Sequence, residues 1–198
     1  MNAARLSVGL EGYALAERSY QHALAYARTR VQGKPSVAPP VGQSKALPIA
    51  YHADIKRMLL TMKSQTDAAR AIALYAALNL DLARHHPDAA VRMKTQSRGD
   101  LLIPIVKGWS TELGIELTSL GIQIHGGMGF VEETGAAQYY RDVRITAIYE
   151  GTTGIQALDL VGRKVSRDQG AAMTALIEDM IARLNAVKST DQSVVRSR

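Results

Sequence analysis

The chain has 198 residues, with 24 Lys and Arg against 18 Asp and Glu for a net charge of +6, and it has no cysteine. That length holds one domain, or one domain with an appendage, and the missing cysteine excludes disulfide frameworks, thiolate zinc sites and cysteine nucleophiles together. Apolar residues at 46% and charged residues at 21% describe a globular chain. No apolar run approaches the ~18 residues that span a bilayer and no signal-peptide core is present, so the expected location is the cytoplasm.

The first thirty residues read as one helix, with Leu6, Leu10, Tyr13, Tyr20, Leu24 and Ala27 recurring as a bundle seam that Glu17 interrupts. Gly33-Lys34-Pro35 stops it, and residues 35–48 hold four of the six prolines, the mark of an irregular connection. A second helix spans about His52 to Arg84 with two apolar stripes, so it packs on two sides, and His85-His86-Pro87-Asp88 ends it. A third covers roughly 100–125 through Leu102, Ile105, Trp109, Leu113, Leu117, Leu120 and Ile124, with Pro104 suited to its first turn or to a kink. Gly126-Gly127-Met128-Gly129 closes it. A short helix follows near 133–141, another from Thr153 to Lys164, a linker at 166–170, and an amphipathic helix over 171–187. With no convincing strand pattern, the expected fold is all-α: an up-and-down four-helix bundle over residues 1–165, then a linker and the start of an additional helical region over 166–198.

The positive charge is scattered along the chain and aromatics are only 5%, which suits solvated helix faces better than a phosphate-tracking groove. Nucleic acid is therefore an unlikely partner. No histidine spacing matches a metal motif, so no metal site is expected. The sequence also lacks a nucleophile elbow, a Walker loop and a strand-initiated glycine fingerprint.

Two segments remain that could carry chemistry. Gln123-Ile124-His125-Gly126-Gly127-Met128-Gly129-Phe130 allows positive φ and close approach of backbone amides to a ligand, or is a helix C-cap with a tight turn. Ile148-Tyr149-Glu150-Gly151-Thr152 sets a carboxylate before a glycine at a helix junction. Burial among Ile148 and Tyr149 would raise the pKa of Glu150 toward that of a general base; the alternative is a surface glutamate in a loop.

Taken in order, Gln123–Phe130, Tyr140-Arg141-Asp142-Val143-Arg144 and Ile148–Thr152 resemble the C-terminal helical domain of acyl-CoA dehydrogenases. Tyr26-Ala27-Arg28-Thr29-Arg30-Val31-Gln32-Gly33 resembles that family's arginine-bearing segment, and the likeness covers roughly residues 1–165. The long connection after the first helix and Glu132–Ala137 most resemble the larger bacterial subgroup that includes 3-methylmercaptopropionyl-CoA dehydrogenases. The resemblance implies FAD as cofactor and an acyl-CoA thioester as substrate. Electron-transfer flavoprotein is the implied electron acceptor, and a homo-oligomer, dimer or tetramer, the implied assembly.

The resemblance also implies roles. Glu150 matches the catalytic base, with its N–H on the thioester carbonyl. Tyr149 and Gly151 are expected beside substrate, Gly151 leaving it room, and Thr152 against the flavin. Arg30 would meet the FAD pyrophosphate of a neighbouring subunit, with Gln123 and Gly127 near its adenine and Gly126 also among the cofactor-binding residues. The chain departs from the family pattern at Gln32, where a Phe is usual, and at Gly154, where many relatives have Gln. It also starts at the third of the family's domains, so the isolated chain is expected to fold but not to dehydrogenate acyl-CoA. The rival expectation is a non-catalytic oligomerisation or nucleic-acid-binding module of the same ancestry.

Overall fold

The computed structural model describes residues 2–36 and 46–190, so most of the expected proline-rich connection and the far tail lie outside the described residues. The elements are α1 (Asn2–Thr29), a 3-10 turn at Ile49–Tyr51, α2 (Ala53–His85), α3 (Ala89–His125), α4 (Gly127–Phe130), α5 (Ala136–Arg144), α6 (Thr153–Leu158) continuing as a π-helical stretch (Asp159–Val165), and α7 (Ala171–Thr190). Among the described residues the one β feature is an isolated bridge between Val31 and Pro48. No described helix is long and apolar enough to cross a membrane. The expected all-α bundle is what the chain forms, with α1, α2 and α3 as its long members and the short α5 and α6 closing the fourth side against α3.

α1 and α3 run parallel, and α2 is antiparallel to both. Gly9 faces Val106, Gly12 faces Ser110 and Gly121 faces Ser19, while Gly99 and Gly121 meet Leu80 and Met62 in the opposite order. The α1–α3 contact is made at glycines. A Cβ on Gly12 would lie 2.5 Å from the Ser110 carbonyl oxygen, and one on Gly114 2.6 Å from that of Gly12. The innermost stripe of α1 is therefore Arg5, Val8, Gly9, Gly12, Ala16, Ser19, Ala23 and Ala27. Of the expected seam only Ala27 belongs to it; Leu6, Leu10, Tyr13, Tyr20 and Leu24 flank it, partly buried. Backbone proximity, which rewards small residues, decides the inner face here. Glu17 on that flank is paired with Arg70 at 3.0 Å.

α3 begins at Ala89 rather than near residue 100. Asp88 caps it, its side chain accepting from the Ala90 N–H at 2.8 Å, so Pro104 lies buried in the helix interior. Trp109, expected on the inner stripe, is 39% exposed and lies outside the core. The helix after the linker is docked on this chain: Leu176 joins the α2–α3 core, and Arg98 on α3 pairs with Asp179 at 3.0 Å. A buried ion pair, Arg5 to Asp159 at 2.7 Å, ties the start of α1 to the π-helical stretch.

Candidate functional site

The chemistry-bearing residues fall into two regions separated by roughly 25–30 Å along α3. The first is the turn between α5 and α6. Glu150 has φ +54 and Gly151 φ +88, two successive residues in the left-handed half of backbone space, the first of them not a glycine. Thr152 then caps α6, its hydroxyl accepting from the Ile155 N–H at 3.4 Å.

What holds this turn comes from beneath. Lys107, on the face of α3 under the loop, is completely buried, and its Nζ donates to the Gly151 carbonyl at 2.6 Å. Burial lowers its pKa from the ordinary lysine value, against raising contributions from Glu112 and Glu150. Gln156, also buried, donates from Nε2 to the same carbonyl at 3.0 Å and to the Glu150 carbonyl at 3.2 Å. On the flanks, the Tyr149 hydroxyl donates to Glu11 on α1, which lifts the tyrosine pKa to about 12, and Thr153 donates to Glu112 at 2.5 Å. The volume that a Gly151 side chain would need is filled by Gln156, whose Nε2 would lie 2.8 Å from a Cβ.

The Glu150 side chain is exposed, as are Ile148 and Tyr149. The burial expected to tune this carboxylate is therefore not supplied by its own sequence neighbours: their side chains, like that of Glu150, stand outward from the bundle. Glu150 forms no hydrogen bond or ion pair through its carboxylate among the described residues. Its backbone is fixed while its acid group is unengaged.

The second region is the far end of the bundle. An open pocket of about 400 Å³ is lined by Tyr26, Arg30, His52, Ile55, His125 and Gly126, among others. Arg30 and Gly126 are thus brought together, whereas Tyr149, Glu150, Gly151 and Thr152 stand apart from them. Gln123 and Gly127 sit exposed beside the pocket, and a Cβ on Gly127 would meet nothing within 4 Å. Gly126, at φ +60, ends α3.

His125 is 4% exposed and stacked on Tyr26 at 4.5 Å between ring centres. Its Nδ1 lies 2.7 Å from the Gly121 carbonyl, which fixes the proton on Nδ1 and leaves Nε2 as an acceptor without a partner among the described residues. His22 meets it edge-on at 4.6 Å and is held below the usual histidine pKa by burial and then by His125. Lys107, Gln156, Glu11 and His125 carry no role in the sequence-level reading. The signal for Lys107 was available: it is the sole charge between Asp100 and Glu112. No cluster of metal-ligating side chains occurs among the described residues.

Residues 1–165 match the acyl-CoA dehydrogenase C-terminal domain. The chain belongs to the acyl-CoA dehydrogenase family. It is 53% identical over 182 residues to 3-methylmercaptopropionyl-CoA dehydrogenase of Ruegeria pomeroyi, covering 92% of this chain and 30% of that protein. It is 37% identical over 174 residues to the broad-specificity linear acyl-CoA dehydrogenase FadE5 of Mycobacterium tuberculosis, covering 86% and 28%. Butyryl-CoA dehydrogenase from Megasphaera elsdenii superposes with a TM-score of 0.64 at 27% identity over 81% of this chain and 36% of that one. The chain thus spans about 30% of the length of the curated relatives it matches. As an acyl-CoA dehydrogenase C-terminal domain it has residues that fit the family's flavin. Arg30 offers a fork for phosphate oxygens, the Tyr26–His125 pair an aromatic wall, and the orphaned His125 Nε2 an acceptor for an amino group.

Proposed function

We propose that this domain supplies the catalytic base of a flavin-dependent acyl-CoA dehydrogenase, which converts an acyl-CoA thioester to the trans-2-enoyl-CoA. The observation that carries the reading is the Tyr149–Thr152 turn: a glutamate whose backbone is braced from within while its carboxylate is left unengaged. Glu150 takes the α-proton of the thioester, and its own backbone N–H stabilises the charge that develops on the thioester carbonyl. FAD, when bound, supplies the hydride acceptor for the β-carbon. Thr152 keeps its O–H hydrogen available for the flavin, since its oxygen only accepts within the helix cap. Tyr149 is anchored to Glu11, which makes it a wall of the substrate site rather than a donor to it.

The distance between the two regions supports their serving different flavins. Arg30, Gln123, Gly126 and Gly127 then hold the adenine-diphosphate end of a cofactor belonging to a neighbouring subunit, so homo-oligomerisation is part of the site. Electron-transfer flavoprotein is the proposed reoxidant.

The test uses the flavoenzyme that carries this domain. Glu150→Gln is expected to lower kcat for acyl-CoA-dependent dye reduction by on the order of 10³-fold, with flavin absorbance still stoichiometric. Activity that survives the change removes Glu150 as the base and leaves an assembly module as the better reading.

A further inference from the structure

Lys107 has no evident reason to be where it is on packing grounds. It stands in the middle of α3, between Val106, which is fully buried, and Gly108, on which Gln156 rests at 3.5 Å from a notional Cβ. A wholly buried ammonium is expensive unless it is well engaged, yet the one hydrogen bond this ammonium makes among the described residues is to a single backbone carbonyl, with Glu112 and Glu150 adding only longer-range attraction. That carbonyl belongs to Gly151. Gln156 adds its amide to the same oxygen and to the carbonyl just before it. Both peptide oxygens that follow the Glu150 and Gly151 α-carbons are thereby drawn inward to donors, and Glu150, a residue with a Cβ, sits at φ +54. Left-handed backbone at a non-glycine persists only where the surroundings over-determine it, and these donors are the surroundings.

We infer that Lys107, assisted by Gln156, is a positioning residue that sets the backbone of Glu150 from beneath, aiming its carboxylate and N–H outward toward substrate. The function assigned to it rests on the reading of Glu150 as the base; the positioning itself does not. The ion pair beside it behaves differently. Arg5 pairs with Asp159, and Arg163 adds a second contact to Asp159 at 2.8 Å, so each charge there has an opposite charge beside it, although Arg5 Nε has no partner among the described residues. Lys107 has no ion-pair partner among the described residues, and its hydrogen bond goes to the loop. Lysine suits the task because its long unbranched stem crosses the apolar layer and delivers a point charge at the end. Methionine would fill the same space with no donor.

The decisive measurement is made on the isotope-labelled 198-residue chain by NMR. A residue with positive φ shows a strong intraresidue amide–Hα cross-peak, and Glu150 of the wild type should show one. Lys107→Met, folded by far-ultraviolet circular dichroism, should lose it. In the flavoenzyme carrying the domain the same change should lower kcat by on the order of 10²-fold, as expected for a misplaced catalytic group, with KM little altered. A folded Lys107→Met chain that keeps the cross-peak overturns the inference, as does a wild-type Glu150 without it. So does a kcat loss matched by an equal rise in KM. Should Lys107→Met not fold, Gln156→Met decides by the same two readouts. Activity that survives Glu150→Gln would sink the functional reading while leaving the cross-peak result to judge Lys107 separately.

Discussion

The Tyr149–Thr152 turn and the Arg30–Gly126 pocket are built on opposite plans. At the turn the constraints come from this chain: Lys107 and Gln156 on the backbone from below, Glu11 and Glu112 on the flanking Tyr149 and Thr153 hydroxyls, and a glycine that admits nothing larger. At the pocket two side-chain groups are left open: an exposed Arg30 guanidinium whose one hydrogen bond among the described residues is a 3.4 Å approach to Gln32, and a buried imidazole nitrogen with no partner among them. A site that must place a proton-accepting atom within a fraction of an ångström is wired before ligand arrives. A site that only clamps a cofactor can leave its hydrogen bonds to be completed by the cofactor.

That contrast can be broken first at Gly151. Alanine there meets both a φ of +88 and a Cβ 2.8 Å from Gln156 Nε2 and 3.2 Å from Ile155 Cγ2. Gly151→Ala is expected to cost about 1–3 kcal/mol of stability, read from denaturant unfolding of the chain, and to cripple the flavoenzyme. Arg30→Ala sharpens the other side. Removing an exposed residue without a strong internal contact should leave the melting curve unchanged while flavin retention by the assembled enzyme weakens by about tenfold to a hundredfold. Equal stability losses in the two variants would erase the distinction.

The smallest effect is in alkaline pH. Tyr149 is raised to about 12 by its bond to Glu11, above the ordinary value of 10.0. The folded state therefore holds this proton more tightly than the unfolded chain. The stability it contributes is complete below pH 10 and is lost as pH rises toward 12. Alkaline unfolding of Tyr149→Phe should lack that increment, and the phenolate absorbance change should lose its component near pH 12. The size is modest because the hydroxyl is near the surface.

Much of this was legible in the sequence, and the failures share a cause. The ends of α1 and α2 followed from Gly33-Lys34-Pro35 and from His85-His86-Pro87-Asp88, because glycine and proline punctuate by local sterics. Glu150-Gly151, set by the sequence at a helix junction, is a left-handed turn there. What periodic hydrophobicity could not show was an inner face made of Gly9, Gly12, Ser19, Gly114 and Gly121, since their value lies in the backbone they let approach. It also could not show that residues 89–99, rich in polar side chains, begin α3; Asp88 looked like part of the preceding stop, although it is the cap of the next helix. Lys107 was visible as a lone charge, but its contact was hidden for a tertiary reason. A charge at that place becomes meaningful only when α6 folds back over it.

The parallel, glycine-seated contact of α1 with α3 makes the two helices a rigid gauge between the carboxylate end and the cofactor end. Gly12 on Ser110 and Ser19 on Gly121 are notches at fixed intervals, with no side-chain padding to absorb an error. One residue inserted between them would turn the rest of α1 by about 100° and lift a notch from its seat. A longer connecting segment would leave this register untouched, while the count of residues along this pair of rods is pinned by the glycine seats themselves.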